Sequence, residues 1–146
     1  MKKQAYMLIA MIVLVGSLAV AAQAQTNSRI ALISNIPFQF NIGNKSLPAG
    51  EYSVRSDSDG TSSVLLRIQS RDGKTNAMLL TLQVEGKAQK RARLVFHRYG
   101  NQYFFAQAWV DGDGVKAEKS RAEKAAEREL AASKLVTESV VVTARR

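Results

Sequence analysis

VLLRIQSRDGKTNAMLLTLQV occupies residues 64–84, and its reading decides the fold. Val64, Leu66 and Ile68 alternate with Leu65, Arg67 and Gln69, the period of two that a strand imposes because successive side chains leave opposite faces. Asp72-Gly73 follows, and an Asp-Gly pair supplies the positive φ angles of a tight hairpin turn. The returning run places Met78, Leu80, Leu82 and Val84 on one face. Two strands and a turn at this spacing predict an antiparallel β-hairpin.

Working outward, a second hairpin is expected where residues 94–99 (LVFHRY) meet 103–110 (YFFAQAWV) across Gly100-Asn101. Both faces of this pair are apolar, which predicts central strands. Upstream, Ile30, Leu32, Ser34, Ile36, Phe38, Phe40 and Ile42 hold the even positions while Asn35, Gln39 and Asn41 hold odd ones, a half-buried strand that Pro37 bends or places at an edge. Leu47-Pro48-Ala49-Gly50 is a turn with φ preset by Pro48, and Tyr52 and Val54 begin the next strand. The fold expected is mainly β, an antiparallel sandwich or small barrel of about six or seven strands.

Residues 111–119 open with Asp-Gly-Asp-Gly and read as an acidic, glycine-rich linker. Beyond it the composition turns to Ala, Glu, Lys and Arg, strong helix formers, and Ser120 with Glu123 makes a capping-box pattern. A charged helix is expected over 120–135 with a narrow stripe of Ala122, Ala126 and Leu130. Residues 136–146 contain the β-branched run Val140-Val141-Val142-Thr143, suited to a strand. That strand either joins the domain's own sheet or pairs with a partner's edge, and the internal pairing is the expectation because an exposed apolar strand invites aggregation.

The chain has 146 residues, 46% hydrophobic and 23% charged, with no cysteine and one histidine. Disulfides, thiolate metal sites, cysteine nucleophiles and histidine-rich metal clusters are therefore excluded, and no cofactor or metal is expected. Lys2 and Lys3 precede an apolar stretch from Tyr6 to Ala22, and Ala22-Gln23-Ala24 supplies small residues at a signal-peptidase site. Residues 1–24 are expected to be a signal peptide, with Gln25 the first residue of a secreted or periplasmic protein; the alternative is an uncleaved anchor. The β domain would then span 25–110, where eleven Lys and Arg face five Asp and Glu, while the tail from Asp111 is nearly balanced at eight to seven.

The motifs IPFQF at 36–40, LPAGEYSV at 47–54, LVFHRYGNQYF at 94–104, SRAE at 120 and AEREL at 126 resemble a family of small secreted bacterial β proteins without established catalytic residues. The resemblance implies a secreted β domain followed by a charged helix, and no activity. Lys124 and Ala125 separate the two helix fragments, an expansion of the compact SRAEREL form. The LPAGEYSV turn is also similar to turns in transthyretin-like and carboxypeptidase-regulatory modules.

His97 is the lone imidazole, and base catalysis would need a nucleophile beside it and an orienting carboxylate. No G-x-S-x-G elbow occurs, so a structural or surface role is expected. Asp57/Asp59 and Asp111/Asp113 repeat the opening of a calcium loop, but Ser62 and Ile68, or Lys116 and Ala122, stand where Gly and Glu are required. A glycosidase pair among Glu51, Asp57, Asp59, Asp72 and Glu85 is not selected by spacing.

The strongest binding signal is basic: Lys87, Lys90, Arg91 and Arg93 lie within seven residues without an acid, and Arg98 follows with Phe96 and Tyr99. In an exported protein this disfavours nucleic acid and points to lipid headgroups, an anionic envelope polymer or an envelope protein. The expected function is a non-enzymatic binding module contacting anionic envelope material through that segment. The alternatives are a small envelope-polymer hydrolase using paired carboxylates and a structural component assembling by its C-terminal strand. Oligomeric state is not readable from the sequence.

Overall fold

The computed structural model describes residues 30–57, 62–88 and 91–146. The expected signal peptide and cleavage site, Lys90, and Asp59 lie outside the described residues. Among the described residues, ten strands and one helix follow in order: β1 (Ala31–Ile36), β2 (Phe40–Ile42), β3 (Lys45–Leu47), β4 (Gly50–Asp57), β5 (Ser63–Ser70), β6 (Asn76–Glu85), β7 (Arg93–Tyr99), β8 (Gln102–Val110), β9 (Asp113–Ala117), α1 (Arg121–Ala132) and β10 (Glu138–Thr143).

The strands form one mixed sheet in the order β1-β4-β5-β6-β9-β8-β2-β3, with β7 also on β8 and β10 on β7. All pairings are antiparallel except the contact of β2 with β8 through Asn41 and Phe104. Mainly β with one C-terminal helix is what the alternation predicts. The strand count of six or seven is corrected to ten among the described residues, hydrogen-bonded into one mixed sheet that is not closed into a barrel. Its ends are tied by Ile33 and Arg145, whose backbone groups exchange hydrogen bonds of 2.7 and 2.9 Å.

Local chemistry explains the extra strands. Pro37, lacking an N–H, splits the first apolar run into β1 and β2. The segment expected as a linker contains β9, which lies between β6 and β8. Gly114 is fixed there by packing: a Cβ at that position would stand 2.6 Å from the ring of Trp109, its partner across the β8–β9 ladder. The LPAGEYSV turn is locked by the Tyr52 hydroxyl, which donates to the Pro48 carbonyl at 2.7 Å.

One face of the sheet converges on the main core, in which Phe40, Tyr52, Leu66, Ile68, Leu94 and Phe96 are essentially inaccessible. Phe96 lies edge-on to Phe38, Phe40 and Phe105 at centroid distances of 5.2, 5.4 and 6.0 Å. Such edge-to-face rings add about 1 kcal/mol each to the burial of their area. Because strands from along the whole path share this core, the sheet wraps around it and its other face is convex.

The helix packs on that convex face at the β7–β8 turn, where Ala126 and Leu130 meet Tyr99 and Phe104 in a second, smaller cluster. Ser120 caps it, accepting from the Glu123 N–H at 3.1 Å. The helix ends at Ala132 rather than Leu135, and its buried stripe is Glu123, Ala126 and Leu130; Ala122 is exposed. β10 pairs with β7 over six residues, so the C-terminal strand joins its own sheet as expected.

Candidate functional site

The first candidate surface grows from the opening hairpin. The inward residues of β5 are Val64, Leu66 and Ile68, and the ladder sets Thr81, Leu79 and Ala77 across from them. Met78, Leu80 and Leu82 therefore face outward, as does Leu65 directly opposite Leu80. These four are 58, 64, 44 and 37% exposed, side by side on the convex face. An apolar patch on the order of a few hundred Å² on a monomer is commonly functional.

Its frame is basic. Arg67 stands opposite Met78, Arg55 opposite Arg67, and Lys116 opposite Leu82, all on the same face. Two acids described on this face are paired, and the pairing of Asp57 engages Arg67 as well. Asp57 pairs with Arg67 at 3.3 Å, and Glu51 pairs with Arg71 at 3.0 Å and Arg145 at 3.3 Å.

The basic segment read from the sequence is dispersed instead. Arg98 leaves β7 on the core side, over the Tyr103 ring at 5.6 Å, with bonds to the Gly100 carbonyl and to Glu138. Arg93 leaves on the convex side over Trp109 at 5.8 Å, and its Nε is buried without a partner among the described residues. Five residues of strand set the two about 16 Å apart along β7. Arg91 lines a shallow cleft of about 300 Å³ with Ala92, Asp111, Ala144 and Arg146, in which Arg146 is ion-paired to Asp111. Lys87 is exposed after β6. Arg93 and Arg98 thus share no patch; β-strand alternation separates them.

A second candidate lies under the helix. Glu123 is almost wholly buried, and its Oε1 accepts from His97 Nδ1 at 2.8 Å and from the Tyr99 hydroxyl at 3.1 Å. Nδ1 donation leaves Nε2 as the acceptor of a neutral ring. Burial, followed by the adjacent Glu123 charge, pushes the Tyr99 hydroxyl up to about 12. Lys119, bonded to Glu127 at 2.5 Å, is raised by that contact. His97 therefore has the orienting carboxylate that catalysis asks for. Ser139 stands opposite His97 in the β7–β10 ladder, and among the described residues no hydrogen bond joins them.

Asp72 accepts from Ser70 Oγ at 2.5 Å and from the Lys74 N–H at 3.1 Å, and these bonds lower its carboxyl below the usual range. Two clefts flank the end of α1, of about 240 and 190 Å³, sharing Gly100 and Leu130 and carrying one carboxylate each, Glu129 and Glu138. Among the described residues no three His, Asp or Glu side chains gather as metal ligands.

The sequence named Met78, Leu80 and Leu82 as one face but gave no sign that it points outward, because Ala77, Leu79 and Thr81 offer the opposite parity a nearly equal apolar row. Glu123 was legible only as a capping residue; its partners are 24 and 26 residues away. No family model, curated protein or solved structure matches the chain.

Proposed function

We propose that the protein is an exported, non-enzymatic binding module whose working surface is the convex face of β5 and β6, and whose partner is anionic envelope material. The observation that carries this reading is the block of Leu65, Met78, Leu80 and Leu82, exposed in register and framed by Arg55, Arg67 and Lys116. The apolar signal peptide read at residues 1–24 and the resemblance to small secreted β proteins support the location.

The magnitudes suit a reversible contact. At ~25 cal/mol per Å² a patch of this order contributes on the order of 5 kcal/mol, and each cation near an anionic surface adds about 1 kcal/mol. Ordering costs offset part of that sum. The basic segment takes a secondary place, since Arg93 and Arg98 leave opposite faces of β7.

Retention on isolated envelope fractions tests the reading. A Met78→Gln/Leu80→Gln double variant is expected to lose most of its retention while its melting temperature stays close to wild type, because exposed substitutions usually change stability by no more than about 0.5 kcal/mol. Retention equal to wild type overturns the assignment of this face.

A further inference from the structure

We infer that the occupant of the β5–β6 face is a lipid bilayer carrying anionic headgroups, with Met78, Leu80 and Leu82 entering the acyl boundary and Arg55, Arg67 and Lys116 meeting the headgroups. This deepens the proposed function and rests on it. Three features of the face select a bilayer over a folded partner.

The first is shape. The face is the outside of a sheet wrapped around its core, and the clefts described above are lined by other residues. Where a convex surface carries none of these clefts among the described residues, it presents no pocket there for an anchoring side chain, which is how protein partners gain specificity. Fluid hydrocarbon conforms to it.

Size is the second. Four partly exposed aliphatic side chains fall well short of the roughly 800 Å² per partner of a stable protein interface. Shallow insertion coupled to headgroup attraction needs no such area, and combining the two signals is how weak membrane contacts become adequate.

Charge is the third. Arg55 and Lys116 stand beside the apolar centre, Arg67 is paired with Asp57, and Glu51 is shared between Arg71 and Arg145, so among the described residues the cations of this face outnumber its acids. A second copy of this chain would bring the same cations against themselves, so the charge favours an anionic surface over self-association.

Vesicles of equal parts phosphatidylglycerol and phosphatidylcholine test this with the exported protein, residues 25–146, so that the apolar segment at 6–22 takes no part in binding. The chain contains no cysteine, so Leu80→Cys carries a polarity-sensitive fluorophore at one place only, and Lys124→Cys on α1 serves as the control. The expected result is a blue shift at position 80 and none at 124, with binding at least ~10-fold weaker on phosphatidylcholine alone and weakened by salt. Equal binding of wild type and Met78→Gln/Leu80→Gln to the anionic vesicles overturns the inference. Loss of envelope retention in the double variant without any vesicle binding by wild type also overturns the lipid, and leaves the binding face standing with a protein or polysaccharide as partner. Unchanged envelope retention in the double variant removes the proposed function itself.

Discussion

Tyr99 links the chemistry of one hydroxyl to the docking of the helix. Its proton is held up to about 12 by burial and by the Glu123 carboxylate, above the ordinary value of 10.0. Between those values the folded chain keeps the proton and the unfolded chain has lost it, so stability is fully present below pH 10 and falls as pH rises toward 12. Two units correspond to on the order of 2 kcal/mol. Tyr52, raised by burial and then by Asp72, slopes the same way. Urea denaturation at pH 9 and 11 is expected to show wild type losing stability over that interval, and Tyr99→Phe losing clearly less. At pH 9 the variant should be about 1 kcal/mol weaker, the worth of the hydrogen bond to Glu123. An identical slope in the variant would assign the effect elsewhere.

Among the elements, β10 is the one whose removal is most informative. It covers the edge of β7 through six register pairs, and the residues after it bond back to Ala92 and Ile33. Truncation after Leu135 uncovers that edge and releases Val140 and Val142 from the core, so a drop in melting temperature of at least about 5 °C is expected in calorimetry. An unchanged melt would show that β10 is dispensable to the domain. The elements were legible where the signal is local: the Asp72-Gly73 hairpin, the β7–β8 hairpin and the Ser120 cap all rest on neighbours within a few residues. β9 was hidden because Asp-Gly-Asp-Gly is turn chemistry, whereas its glycine answers to Trp109 on another strand. The exposed face of β6 was hidden because both of its rows are apolar, and only pairing decides which one the core takes. The separation of Arg93 from Arg98 was hidden for a similar reason: sequence proximity brought together arginines that a strand sends to opposite sides.

For the whole molecule, export is the proposal with the simplest check. Removal of residues 1–24 leaves Gln25 first, five residues ahead of the first core position, Ile30, and the intact mass of the exported protein should correspond to residues 25–146. A full-length mass in the membrane fraction would make the segment an anchor. The Ile33–Arg145 bridge has a further consequence, for order in time. It joins residues 112 positions apart, and β7 likewise waits for β10. Contacts of such long range make a chain slow to fold, because loop closure must precede the interactions that compensate it. A polypeptide delivered N-terminus first cannot complete this sheet until Arg145 arrives, so the seam acts as a clock: under the export proposal, the chain would lack this closure for as long as residues 138–145 are withheld.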